Sequence, residues 1–129
     1  TQDGHICEGS GENIFLVLGG QLVTPSPSDN ILVGITRDTV MRLARNELGI
    51  DAIERQVDRS ELYAAEECFF TGTAANLAPI LEIDRRRIGT GEIGEITTRL
   101  QRLFAEVILG RNPKYHDWYY LVSPKTVTA

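Results

Sequence analysis

Glu8-Gly9-Ser10-Gly11-Glu12-Asn13-Ile14-Phe15 places two carboxylates and two glycines directly in front of an apolar run. A carboxylate is costly to bring toward a core unless something there needs its charge, and a glycine beside it lets backbone approach a ligand closely. The same octapeptide is also ordinary material for a solvated turn before a strand. Two other stretches have the chemistry of anion binding. Gly34-Ile35-Thr36 leads into a helical pattern, and a helix start offers unpaired N–H groups with about half a positive charge. The Thr36 hydroxyl there can cap the helix or bind an anion. Gly72-Thr73-Ala74 follows an apolar strand with small residues, so its N–H groups can form an anion nest or simply an ordinary tight turn.

The elements that must position these residues follow from periodicity. His5 to Glu8 reads as a short strand and Asn13 to Leu18 as a strand buried on both faces. Gly19-Gly20 joins the latter to Gln21–Thr24 as a two-residue hairpin. Pro25 to Asn30 is a loop, and Ile31-Leu32-Val33 leads to Gly34. From Arg37 to Leu48 the apolar residues Val40, Met41, Leu43, Ala44 and Leu48 follow helical spacing, with Thr36 as N-cap and Gly49 beyond the end. Arg37 and Asp38 read as helix-start residues in ion pairs. Ala52 to Val57 reads as one strand, and Asp58-Arg59-Ser60-Glu61 as a capping box opening a short helix. Glu67 to Thr71 is a buried strand, and Leu77 to Ile83 another, interrupted or bounded by Pro79. Asp84 to Arg87 reads as a charged turn, with an exposed surface favoured over an anion site. Ile96, Leu100, Leu103, Phe104, Val107 and Ile108 form the core stripe of a last helix, Glu95 to Leu109, stopped by Gly110 and Asn112-Pro113. Trp118 to Val122 reads as an edge strand or docking segment before a loose tail. Strands alternating with helices, with hairpins among them, indicate an α/β or α+β sheet.

Glu8 to Phe15 resembles the EGxGEN-[IL]-F signature of fold-type IV enzymes dependent on pyridoxal 5'-phosphate (PLP). Gly34-Ile35-Thr36-Arg37-Asp38 and Phe70-Thr71-Gly72-Thr73-Ala74-Ala75 resemble two later motifs of the same family, in the same order. The similarity runs from about Gly4 to Trp118 and is greatest to the branched-chain amino acid aminotransferases. It implies a large domain built as a pseudo-barrel of mixed strands with outer helices. It implies that Glu8 faces the pyridine nitrogen of PLP, that Ile35, Thr36 and Thr73 contact the phosphate, and that the Thr73 and Ala74 amides receive the substrate carboxylate. Glu12 and Asn13 then brace the motif. The activity implied is transfer of an amino group from Leu, Ile or Val to 2-oxoglutarate, in a cytoplasmic homo-oligomer. D-amino acid aminotransferases and aminodeoxychorismate lyases share this scaffold, and a non-catalytic anion-binding or assembly module is the reading from a different class.

Composition bounds these readings. A chain of 129 residues suits a single domain or one large piece of one. Apolar residues make up 42% and charged residues 24%, as in ordinary globular proteins. A net charge of −5 argues against nucleic acid or an anionic membrane as principal partner. No apolar run has the length of a membrane span. Cys7 and Cys68 lack CxxC partners, so no metal or redox motif is indicated; reduced thiols are expected, and the spacing leaves a bridge between them open. In the resembling family the Schiff-base lysine and an arginine on the phosphate precede the EGxGEN motif. Here the only lysines are Lys114 and Lys125, in the polar C-terminal region. With its start at Thr1-Gln2-Asp3-Gly4, the chain reads as a single-domain fragment, residues 1–129, of a longer protein, and by itself is expected to be inactive.

Overall fold

The computed structural model describes residues 5, 6, 8, 9, 12–26, 35–72 and 76–115. The expectations for Cys7, the 27–34 loop, the 73–75 turn and everything beyond Tyr115, including Trp118 and Lys125, lie outside the described residues.

The central strand is β3 (Glu12–Leu18). Its run of Ile14, Phe15, Leu16 and Val17 is buried throughout, as a strand covered on both faces requires. Gly19 and Gly20, at φ 59° and 79°, turn it into β4 (Gln21–Thr24). Positive φ at both positions is the geometry of a type I′ hairpin, which matches the twist of the strands. From β4 the chain passes into α1 (Ile35–Leu48) and returns as β5 (Ala52–Glu54), parallel to β4. On the other side of β3 lies β7 (Glu67–Gly72), antiparallel, and then β8 (Asn76–Pro79). The sheet order is β5-β4-β3-β7-β8, with β2 (Glu8–Gly9) pairing β3 as well.

Alternation along the strands separates two cores. Phe15, Val17, Leu22, Phe69 and Leu77 pack with Val40, Leu43 and Ala44 of α1 and with Leu100, Phe104 and Val107 of α3 (Glu95–Ile108). Ile14, Leu16, Val23 and Cys68 face the other way, onto Val57, Ile88 and Leu62 of α2 (Arg59–Ala64). Phe15 and Phe69 are register partners, and their rings stack with centroids 5.2 Å apart and planes 9° from parallel. Truncating a ring in such a place typically costs about 3–5 kcal/mol.

The mixed α/β class expected from the sequence is the one observed, with several local differences. The strand expected over His5–Glu8 is split: β1 (His5–Ile6) pairs with β6 (Val57–Asp58), whereas β2 pairs with β3. The strand expected over Ala52–Val57 is likewise two, β5 and β6, because the chain leaves the main sheet at Arg55-Gln56. There the Arg55 guanidinium grips both oxygens of Glu61, at 3.1 and 2.7 Å. The capping box of α2 forms as expected, the Asp58 N–H donating to Glu61 Oε2 at 2.9 Å. Pro79 ends β8, and β9 (Glu82–Ile83) begins a separate hairpin. Its turn is only Asp84-Arg85, since Arg86-Arg87 form β10. Tyr63 of α2 holds this hairpin: its hydroxyl donates to Asp84 Oδ2 at 2.5 Å, and the Arg86 guanidinium lies 4.6 Å from its ring centre. Ile108, assigned to the core stripe of α3, is 41% exposed, and Thr97 is buried instead.

Candidate functional site

One end of the main sheet collects the stretches singled out in the sequence. Glu8 occupies the register position opposite Asn13, and Asn13 pairs across β3 with Thr71. Thr71 and Gly72 are the last residues of β7, and Gly72 pairs with Asn76. At about 4.8 Å per strand, Glu8 is thus roughly 10 Å of backbone away from the strand that leads to Thr73 and Ala74. Thr73 and Ala74 themselves lie outside the described residues.

The start of α1 arrives at the same end. Because β4 runs antiparallel to β3, its last residues, Thr24 and then Pro25, lie beside the beginning of β3. The Thr24 hydroxyl donates to the Ile14 carbonyl at 2.7 Å, which fastens that corner. The parallel pair β4 and β5 presents its carboxyl ends together, Thr24 beside Glu54. A helix that connects two parallel strands begins at the carboxyl end of the first, which is where open α/β sheets bind ligands.

Ile35 and Thr36 are the first two residues of α1. Thr36, expected as the N-cap, is therefore already within the first turn, half-buried, and its amide belongs to the set with no partner inside the helix. The ion pairs expected of Arg37 and Asp38 are present, but they are unlike each other. Asp38 meets Arg42 one turn on at 3.3 Å, with both side chains exposed. Arg37 is buried and reaches Glu54 Oε1 at 2.7 Å. Helical spacing from Arg37 to Val40, Met41 and Ala44 already put this residue on the buried stripe, a signal that its charge obscured.

Two buried side-chain polar atoms have no partner among the described residues, Arg37 Nε and the Thr71 hydroxyl. Both belong to residues at this same end of the sheet. Buried polar atoms are seldom left unpaired, which sets these two apart from the rest of the described core.

Lys114 has none of the character of a nucleophilic amine. It is 62% exposed, donates to Glu47 Oε2 at 2.7 Å, and that hydrogen bond holds its pKa above the ordinary lysine value. Cys68 is a buried free thiol; Cys7 lies outside the described residues. A cavity of about 400 Å³ lies at the opposite end of β3, beside Val17, Gly20 and the carboxylates of Glu66, Glu67, Glu92 and Glu95. Its acidic lining repels anions. Among the described residues no group of three His, Cys, Asp or Glu side chains is placed to hold a metal ion, and no helix is long and apolar enough to cross a membrane.

The fold is that of a mixed α/β protein in which a helix start and the ends of several strands meet at one end of the main sheet. The sequence pattern described as "Amino-transferase class IV" matches residues 1–83, and the chain belongs to that family. A probable branched-chain-amino-acid aminotransferase of Aquifex aeolicus is 50% identical over 118 residues, covering 92% of this chain and 38% of the relative. The branched-chain-amino-acid aminotransferase of Escherichia coli K12 is 40% identical over 116 residues, covering 90% and 37%. Among solved structures, the branched-chain amino acid aminotransferase of Thermobaculum terrenum in its PLP form superposes with a TM-score of 0.87. It is 45% identical and covers 90% of this chain and 38% of that one. The branched-chain aminotransferase of the archaeon Thermoproteus uzoniensis with norvaline gives 0.84 at 47% identity, again covering 90% and 38%. The chain thus spans somewhat under two fifths of the length of these relatives.

Proposed function

We propose that this chain is the PLP-holding part of a branched-chain amino acid aminotransferase, which transfers an amino group between Leu, Ile or Val and 2-oxoglutarate. The observation that carries the reading is 40–50% identity, over nine tenths of the chain, to enzymes of that name. The unpartnered Thr71 hydroxyl at the end of β7 and the free amides in the first turn of α1 fit the group, because PLP brings a phosphate and a heteroaromatic ring that accept or donate hydrogen bonds. In this reading Glu8 faces the ring nitrogen, Ile35, Thr36 and Thr73 receive the phosphate, and Thr73 and Ala74 receive the substrate carboxylate.

When bound, PLP acts as the electron sink for the amino acid's α-carbon. The protein's own residues bind and hold. The carboxylate of Glu8 keeps a proton on the ring nitrogen, since a nearby negative charge favours the protonated form. Main-chain N–H groups at the start of α1 bind the phosphate without a further cation. Lys114, charged and held by Glu47, does not supply the amine this chemistry uses. The chain by itself is expected not to transaminate. In the same reading the whole protein is a cytoplasmic homo-oligomer acting on small amino and 2-oxo acids.

Glu8→Gln in the full-length protein tests the site. Turnover of leucine with 2-oxoglutarate should fall at least a hundredfold, while PLP still binds through its phosphate. Unchanged turnover removes Glu8 from this role. For the chain alone, treatment with PLP and borohydride should leave no stoichiometric adduct by mass spectrometry. A specific adduct at Lys114 or Lys125 together with turnover would overturn the expectation of inactivity.

A further inference from the structure

We propose that Arg37 is the positioning residue for the phosphate-receiving start of α1, a role that rests on the reading just given. Arg37 directly follows Thr36 in the first turn of the helix, and its side chain is 3% exposed. Its Nη2 donates to the Pro25 carbonyl at 3.2 Å and to Glu54 Oε1 at 2.7 Å. Pro25 directly follows β4, and Glu54 is the last residue of β5. A single buried guanidinium therefore ties the first turn of α1 to the carboxyl ends of two parallel strands.

An anion site made of main-chain N–H groups has no flexible side chain that can follow its ligand. Its strength depends on where the scaffold holds those groups. Burial of a guanidinium is costly, and a partner as exposed as Glu54, at 40%, offsets that cost poorly. Net charge does not account for the residue either, because Arg37 and Glu54 together sum to zero. What the arrangement supplies is a fixed distance between helix start and strand ends. Both bonds leave the same terminal nitrogen, Nη2, and lysine does not reproduce them because its shorter side chain ends about one bond length short of that position.

The experiment uses the full-length apo-protein and compares its affinity for PLP with its affinity for pyridoxal, which lacks the phosphate. The ratio reads the phosphate site alone. Arg37→Lys should lower the ratio about tenfold or more, as loss of a hydrogen bond to a charged group does, with pyridoxal affinity within twofold of wild type. Glu54→Leu supplies a second arm; it leaves the buried guanidinium without its carboxylate, so its pyridoxal affinity serves as the check that the protein is folded. It removes a negative charge near the phosphate, so an effect of charge alone would raise the ratio, whereas loss of positioning lowers it. A fall in both variants supports the assignment. An unchanged ratio in Arg37→Lys, a rise in Glu54→Leu, or an equal loss for both ligands overturns it. A wild-type protein that does not prefer PLP over pyridoxal would instead sink the phosphate reading of α1, and this proposal with it.

Discussion

Burial alone pushes the Cys68 thiol up to about 12, since the charged thiolate has no counter-charge beside it in the second core. At pH 8 the thiolate fraction is then about one part in ten thousand. Iodoacetamide should leave Cys68 unmodified in the folded protein and alkylate it fully in denaturant, as read by peptide mass mapping. Rapid modification under native conditions would contradict the burial. Among single residues, Glu8 and Thr36 drew attention because their types and neighbours carry chemistry, and both lie at one end of the sheet. Arg37 was harder to read, because a charge in a first turn ordinarily lies in water, and only the spacing to Val40 and Ala44 hinted otherwise. Thr71 carried no signal: whether a hydroxyl finds a partner depends on what the fold packs around it.

Glu67 shows the same limit for a whole element. The helix α3 has Gly94 as its N-cap, a residue with no side chain to cap it. The carboxylate of Glu67, from β7, caps it from outside: it accepts from the Ile96 N–H at 3.1 Å and, through Oε1, from the Thr97 N–H and hydroxyl, both at 2.7 Å. A Cβ at position 94 would fall onto the Glu67 side chain, so glycine is needed there to let the cap approach. Glu67→Ala should cost about 1–2 kcal/mol, the usual effect of losing a helix cap. Denaturant unfolding of the full-length protein measures it, and an unchanged midpoint would show that the cap contributes nothing. Gly94→Ala should destabilise as well, through the clash with Glu67. Neither effect can be read locally, because 27 positions separate strand and helix start. The local signals that did hold are those complete within a few residues: Gly19-Gly20, the capping box of α2, and Gly49 after α1.

At the scale of the molecule, the described C-terminal end is fastened to α1. Lys114 and the Tyr115 hydroxyl, in a 3-10 turn (Pro113–Tyr115), both donate to Glu47 Oε2 at 2.7 Å. The hydrogen bond from Lys114, then that from Tyr115, lowers the Glu47 pKa, and the same contact raises that of Lys114. A depressed carboxylate contributes stability above its unfolded pKa, about 4.3, and loses it as pH falls through the lower folded value. A raised amine contributes below about 10.4 and loses it as pH rises through the higher folded value. The difference in Tm between wild type and Glu47→Gln should therefore be constant from about pH 6 to 9 and close in acid below about pH 4. A difference that persists undiminished in strong acid would assign it to packing.

What the sequence determined by itself is what short spacing and residue type encode: the mixed α/β class, most of the strands and helices, the Gly19-Gly20 hairpin turn, and three motifs whose order marks the family. Those features are local, so each is specified by a few neighbouring residues whatever the rest of the chain does. Only the tertiary structure decided that Glu8, the start of α1 and the end of β7 share one end of the sheet, that Ala52–Val57 divides between two sheets, and that Arg37 lies buried between strand ends. These depend on strand order and on side chains that meet across long separations, and no periodicity within one segment encodes which distant segment will lie beside it.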